Sequence, residues 1–589
     1  MLPYLVRRLL ENGATTSFVN RILDESIPVE DIVADPVDIS RASEFRPHGR
    51  IPDPPALYGD RRRNAKGYNL ADRRELGSLL TELRERADED HRAAPIVSGH
   101  RQGGEERQSV NPADLRQLIG TWESADPAAV DEALATAVAG QPSWNRAGAE
   151  QRADILERCA DCYEANSTAL LSLCIREAGK SLPDAIAELR EAVDFLRYYA
   201  AEARRQFATP LELPGPTGER NQLQLRGRGV ILCISPWNFP LAIFTGQIAA
   251  ALAAGNAVLA KPAEQTTLVA GLAVRLMLES GVPADVLQFI PGDGADIGGY
   301  AASRPDVAGV AFTGSTETAR KLQQTLARRR GPMPVFVAET GGLNALFVDS
   351  SALPEQVVID AAYSAFNSAG QRCSALRILC VQKDVAPRIL ELLSGHMDEL
   401  VVGDPAVFAT DVGPVIDAQA KKMLDEYIEA ADSRGSLIQR CRVPDACRHG
   451  TFVAPVAIEI KDLAEVDREI FGPVLHVYRY RARDLGATID AINAKGYGLT
   501  MGLHSRIDGR ARTFIDRSGA GNIYINRNLV GAVVGVQPFG GRGLSGTGPK
   551  AGGPHYLTRF ATEVAISNNV AAVGGNATLL SLDDQPESS

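Results

Sequence analysis

A chain of 589 residues, 45% hydrophobic and 23% charged, is too apolar for a disordered protein and long enough for about two to three large domains. A formal net charge of −11 and a pI near 5.4 argue against nucleic-acid or anionic-membrane surfaces, which need positive faces. Eight cysteines are too sparse for a disulfide scaffold and point to the reduced thiols of a cytoplasmic enzyme.

Residues 1 to about 40 are expected to form one amphipathic helix, with Leu5, Leu9 and Leu10 on one side, and then a polar stretch. The opening has no apolar core long enough for a signal peptide, because Arg7, Arg8 and Glu11 interrupt it. Residues 45 to about 105, rich in Pro, Arg and Asp, read as a linker with at most one or two helices, one of them at Leu76–Arg86. From about 127 to 205 the spacing is helical, and Ile155 to Ala203 runs on almost unbroken. Cys159 and Cys162 make a CxxC pair there, but with no second pair nearby they read as core.

Gly229 to Ala260 holds 32 residues without a charge, more than the roughly 20 needed to cross a bilayer. Pro236, Asn238, Pro240, Gln247 and Asn256 break it up, so a buried strand, a tight turn, a buried helix and a second strand fit better. Up to residue 350, short apolar runs (VILCIS, NAVLA, VLQFI, VAGVAFT, PVFVAE, NALFV) alternate with helical segments, the mark of a parallel sheet covered on both faces. A second α/β stretch follows from about 350 to 525, and the tail from 571 reads as disordered.

Such a sheet binds ligands beyond the carboxyl ends of its strands, so residues just after the apolar runs are the candidates. Gly314 and Ser315 follow VAFT and open a helix, whose free N–H groups suit a pyrophosphate. Gly294 and Gly298 would let backbone approach a ligand, although turn glycines with no ligand explain them equally. Lys261 and Glu264, after NAVLA, could hold two ribose hydroxyls or be a solvated pair, and a carboxylate there repels a 2′-phosphate. Cys373 is a candidate nucleophile, Glu339 a candidate water-activating base, and Asn238, with the Cys373 N–H, a candidate oxyanion hole. Such a donor is worth roughly 2.7–4 kcal/mol. A lone cysteine is more often structural.

The strings SPWNFP, AGNAVLAKPAEQT, FTGST, ETGG, GQRCSA, EIFGPVL and PFGGRGLSGTG stand in the order in which the aldehyde dehydrogenase superfamily carries them, across residues 110 to 570. The resemblance implies an α/β fold with a Rossmann-like NAD-binding domain, an α/β catalytic domain and a β-flap for oligomerisation. It implies Cys373 as nucleophile, Glu339 as general base and Asn238 in the oxyanion hole. NAD is then held by Ser235, Trp237, Lys261, Glu264, Gly294, Gly298, Gly314 and Ser315, with Glu469 and Phe471 at the nicotinamide ribose and ring. No metal is implied; Cys441, Cys447 and His449 would make only three ligands.

The details resemble the L-glutamate γ-semialdehyde (1-pyrroline-5-carboxylate) dehydrogenase branch, in which Ser374, Gly531 and Ala532 would grip the substrate α-carboxylate and Phe539 would pack on its chain. Without the family, GAVVG would read as a buried strand. Residues 1–40 resemble the last helix of the proline dehydrogenase barrel of bifunctional proline-utilization proteins, with Arg7 and Arg8 as its proline-binding pair. The rest of that barrel, which would bind FAD, is not in this sequence, so proline oxidation by this chain alone is not expected. The resulting division is 1–40, barrel remnant; 41–108, linker; 109–337, NAD-binding domain with its flap at about 207–227; 338–525, catalytic domain; 526–570, substrate-anchor loop and oligomerisation segment; 571–589, tail. The expected partners are a small-molecule substrate, further copies of the chain, and a separate or fused proline dehydrogenase; no nucleic acid and no membrane span are expected. Alternatives are a broader or succinate-semialdehyde-type dehydrogenase, a cysteine acyltransferase or amidohydrolase using Cys373 without nicotinamide, and a non-catalytic docking scaffold.

Overall fold

The computed structural model describes residues 2–13, 17–46, 49–216 and 218–569. The chain divides into a small unit, residues 1–60, and a large one, residues 61–589. The small unit holds the amphipathic helix Leu2–Gly13 and three short helices, Phe18–Arg21, Val29–Ile32 and Pro36–Ala42, where only polar chain was expected. Local caps explain two of them: Ser17 Oγ accepts from Asn20 N, and Asp35 Oδ1 from Val37 N. Leu9 and Leu10 remain 73% and 71% exposed. The side chains of Arg7 and Glu11, and the tail from 570, lie outside the described residues.

The large unit is built on two seven-stranded sheets. In the first, strands lie in the order Val335–Thr340, Val307–Gly314, Val230–Ile234, Ala257–Lys261 and Leu287–Phe289, all parallel, with Ile96–Val97 and His100–Arg101 added antiparallel. The second orders Leu437–Arg440, Val456–Ile460, Val474–Tyr480, Ile378–Gln382, Ala345–Val348, Thr500–His504 and Asn522–Ile525, parallel except for its first pair. One hydrophobic core draws on residues 65–338 with Val534, Tyr556, Leu557 and Phe560, and two others draw on 343–529. The division between cores falls just past Glu339, where the candidate site lies.

The uncharged run folds as its turn residues require: strand Val230–Ile234, a turn, helix Ala242–Ala253 and strand Ala257–Lys261, with both strands and nearly all of the helix buried. A helix that is apolar all round belongs inside a core. Among the described residues no helix is long and apolar enough to cross a membrane. The helical region is four helices rather than one long run: Pro127–Arg146, Gly148–Ala165, Ser167–Ala178 and Leu182–Phe207. Gly179, at φ 65°, ends the third in the left-handed region. Cys159 is buried in the core, Cys162 packs partly buried against it, and all eight cysteines are free thiols.

Residues 61–108 correct the linker expectation. They hold the helix Arg73–Glu85, three strands of two or three residues, one of which, His91–Ala93, pairs parallel to Asp114–Ser124, and the start of strand Glu105–Asn111. Strands of two or three residues are too short to leave an alternating pattern in a sequence. Strands Leu211–Leu213, Glu219–Gly227 and Ala561–Asn569 form a separate antiparallel sheet at the positions expected for the flap. GAVVG is not a strand: Gly531 and Gly535 take φ of 137° and 76°, and the segment is a loop.

Candidate active site

In sequence order the five parallel strands of the first sheet run outward from Val230–Ile234 on one side, then return to its other side at Val307–Gly314. This reversal opens a crevice at the carboxyl ends of those two strands. The Ser235–Pro240 turn leaves one of them. Gly314 and Ser315 leave the other, with Ser315 Oγ capping helix Thr316–Arg328 by accepting Thr318 N at 3.1 Å. Beside them the Lys261 side chain is buried to 2% exposure and its Nζ lies 3.5 Å from Glu264 Oε2. A Cβ on Gly294 would come 3.8 Å from Lys261 Nζ, and one on Gly298 3.8 Å from Lys261 Cδ. The four polar and glycine positions read from sequence thus meet at one strand end.

The loop that carries Cys373, the candidate nucleophile, follows helix Pro354–Phe366. Ser368, Ala369 and Gly370 all take positive φ, of 53°, 54° and 66°. Two non-glycine residues held there store strain of order 1–3 kcal/mol each, and a dense set of bonds holds them. The Asp184 carboxylate accepts from Asn367 Nδ2 (2.9 Å), Ser368 Oγ (2.8 Å) and Arg372 Nη2 (3.0 Å). Asn344 Nδ2 donates to Cys373 O and Ala375 O. Fully buried Arg377 donates to Gly370 O, Arg372 O, Gly472 O and Glu469 Oε1. It therefore joins the Cys373 loop to the Glu469–Phe471 segment, and its guanidinium lies 5.2 Å from the Phe471 ring centre. Phe471 in turn meets Trp237 edge to face at 5.5 Å.

Asn238 spends one amide N–H on Gln371 O at 3.0 Å, two residues before Cys373. Its turn is cradled from below: Lys180 Nζ donates to Asn238 O and pairs with Glu188 at 3.1 Å, while Glu188 Oε2 accepts Leu241 N and Ala242 N. Ser235 Oγ donates to Gln247 Oε1 at 2.8 Å.

Glu339 lies in strand Val335–Thr340 and points into the glycines of PFGGRGLSG. Gly541 N donates to its Oε2 at 2.8 Å, while buried Oε1 has no hydrogen-bond partner. Burial pushes its carboxyl up to about 8, against the Gly541 bond and the Lys550 charge. Burial likewise pushes the Cys373 thiol up to about 12, with Glu469 and Glu339 adding to it and Arg372 opposing. A thiol held that high carries its proton at neutral pH, and it needs an added positive charge or a proton acceptor to act as a nucleophile.

Cys373, Glu339, Ser374, Gly531, Ala532 and Phe539 line one cavity of about 310 Å³. Sequence reading missed the opposite wall, which helix Leu182–Phe207 supplies through Arg190, Glu191, Asp194 and Phe195. Burial and Glu188 push Glu191 up to about 8. Arg62, in the supposed linker, braces this wall: it pairs with Asp194 at 2.6 Å and donates to Val534 O at 2.7 Å. The spacing of Asp184, Glu188, Glu191 and Asp194 was the available signal, since it puts four acids on one helix face. Cys441 and Cys447 are buried in the second core, and no metal-ligating cluster occurs among the described residues.

The sequence profile of the aldehyde dehydrogenase family matches residues 100–566. Bifunctional protein PutA of Klebsiella aerogenes is 49% identical over 574 residues, 95% of this chain and 43% of that protein. The 1-pyrroline-5-carboxylate dehydrogenase of Geobacillus thermodenitrificans is 37% identical over 470 residues, 78% of this chain and 90% of that enzyme. Among solved structures, the D779W mutant of Bradyrhizobium japonicum proline utilization A superposes with a TM-score of 0.86 at 48% identity, covering 98% of this chain and 55% of that one. A Thermus 1-pyrroline-5-carboxylate dehydrogenase with bound NAD gives a TM-score of 0.82 at 32% identity, covering 86% and 99%. The chain therefore spans less than half the length of the PutA relative.

Proposed function

The chain belongs to the aldehyde dehydrogenase family, and from that premise we propose that it oxidises L-glutamate γ-semialdehyde, the open form of 1-pyrroline-5-carboxylate, to L-glutamate with NAD. The observation that carries this reading is one cavity lined at once by a thiol, a carboxylate and the Gly531–Ala532 loop with Ser374. Loop amides and a hydroxyl suit an α-carboxylate.

The residues at the sheet crevice fit a dinucleotide: a buried Lys261 beside Glu264, glycines flanking it, and a capped helix N-terminus past Gly314. NAD bound there would supply the hydride acceptor, with Glu469 and Phe471 as the residues that would hold its nicotinamide end. The Cys373 thiol gives its proton to solvent water, and the thiolate adds to the aldehyde carbon as the carbonyl π bond breaks and the oxygen takes the negative charge. In this reading the remaining N–H of the Asn238 amide and the Cys373 N–H hold that oxyanion. Loss of the former aldehyde hydrogen as hydride leaves a thioester on Cys373. The Glu339 carboxylate takes a proton from water, whose oxygen attacks the thioester carbon. The thiolate leaves, and the acid is released.

The test is NADH production followed by absorbance with pyrroline-5-carboxylate, succinic semialdehyde and propanal side by side. Turnover is expected to be fastest with the first; equal rates on all three would discard the α-amino-acid assignment. Cys373→Ala is expected to abolish turnover while leaving NAD binding, and Glu339→Gln to slow thioester hydrolysis more than the first NADH release. Full turnover in both variants would remove the site assignment.

The flap sheet is the expected contact between copies of the chain. The exposed leucines of the first helix are where a proline dehydrogenase would pack, and eight free thiols fit a cytoplasmic setting.

A further inference from the structure

We propose that Lys550 is a positioning residue for thioester hydrolysis: its ammonium fastens the turn that holds Glu339 and places a positive charge beside that carboxylate. The proposal rests on Glu339 being the water-activating base. Lys550 Nζ donates to Asn522 Oδ1 at 2.7 Å and to Gly540 O at 2.6 Å. Asn522 Nδ2 donates to Pro538 O at 2.9 Å, and Asn522 Oδ1 accepts from Gly540 N at 3.3 Å. Four bonds thus clamp Pro538 and Gly540, on either side of Phe539.

The next amide along, Gly541 N, is the donor to Glu339 Oε2. The clamped turn is also in close contact with the acid, since a Cβ on Gly540 would sit 2.8 Å from Glu339 Oε1. A small movement of this turn therefore moves the carboxylate, and the same movement displaces Phe539 in the cavity wall. Lys550 is the cation acting on Glu339, lowering its proton affinity where burial raises it. The other titratable groups acting across this space, Cys373 and Tyr556, are acids that burial keeps neutral.

Removing the ammonium takes away the positive charge that favours the carboxylate, so Glu339 must lose its proton at higher pH. If its midpoint rises by about one unit, the carboxylate fraction at pH 7 falls about tenfold. The experiment compares the full chain with Lys550→Met and Lys550→Arg, reading the pre-steady-state NADH burst and the steady-state pH profile with pyrroline-5-carboxylate. Lys550→Met is expected to keep a burst near one equivalent per site, lose about tenfold in the steady phase at pH 7, and move the rising limb of the profile to higher pH. Lys550→Arg, which keeps the charge and donors, is expected to restore most of the steady rate.

A limb that stays in place overturns the proposal, as does a burst that falls in parallel with the steady rate, which is the signature of a merely structural role. If Lys550→Met does not fold, Lys550→Gln against Lys550→Arg reads the same limb. A wild-type chain that makes no NADH from pyrroline-5-carboxylate would instead defeat the proposed function, so the two failures are distinct.

Discussion

At the residue scale, the site depends on groups that burial has pushed away from their ordinary acidity. In its proposed role as base Glu339 works only when ionised, and burial holds its midpoint up at about 8. Thioester hydrolysis is therefore expected to rise with pH through 7 and level off above about 8; a limb near the ordinary carboxylate value, in pre-steady-state measurements on this step, would contradict that. The sign for stability is opposite. Ionising Glu339 in the folded protein costs free energy that the unfolded chain does not spend, so its contribution worsens as pH rises from 4.5 to about 8. Gly370→Ala tests the strained loop. Its Cβ would collide with Gly472 O at a φ of 66°, so a loss of about 1–3 kcal/mol in denaturant unfolding is expected, together with strongly reduced turnover. Cys373, Glu339 and Asn238 could be proposed from the sequence because each closes a turn or strand end rich in recognisable residues. Arg377 could not, since a lone arginine before an apolar strand carries no sign that four parts of the site converge on it.

At the element scale, helix Leu182–Phe207 shows why the opposite wall was not legible. A row of acids at spacings of three and four reads as a solvated face, yet Asp184, Glu188 and Asp194 are buried. Each has a partner from outside the helix: Arg372 and Arg62 from distant segments for Asp184 and Asp194, and Lys180, just before the helix, for Glu188. Breaking such a pair on one side leaves an uncompensated charge, typically worth about 3–5 kcal/mol. Asp184→Ala is expected to destabilise by about that much in a denaturant titration and to loosen the Cys373 loop. Asp184→Ala combined with Arg372→Met is expected to cost less than the sum of the two single changes. Additive effects would show that the pair is not the link between helix and loop.

At the scale of the whole molecule, the boundary that matters lies near residue 60 and not near 108. Residues 61–108 contribute two strands to the first sheet and, through Arg62, a brace on the cavity wall. A chain beginning at 61 is expected to stay soluble with unchanged NADH production, while one beginning at 109 exposes a sheet edge and is expected to aggregate. Equal behaviour of the two in light scattering and turnover would show that the short strands are dispensable. The flap sheet predicts at least a dimer at micromolar concentration, and deleting residues 211–227 is expected to shift the molecule towards a monomer by the same measurement.

The sequence by itself determined the parallel strands, the buried helix after the SPWNFP turn, and the order of the residues at the strand ends. Each of these follows from local rules: apolar runs of strand length, turn-forming residues, and the demand that ligands sit where strands finish. Tertiary structure alone decided which charges are buried and how the two-residue strands pair. Those outcomes depend on partners far away along the chain, and neither periodicity nor composition records a contact between residues separated by hundreds of positions.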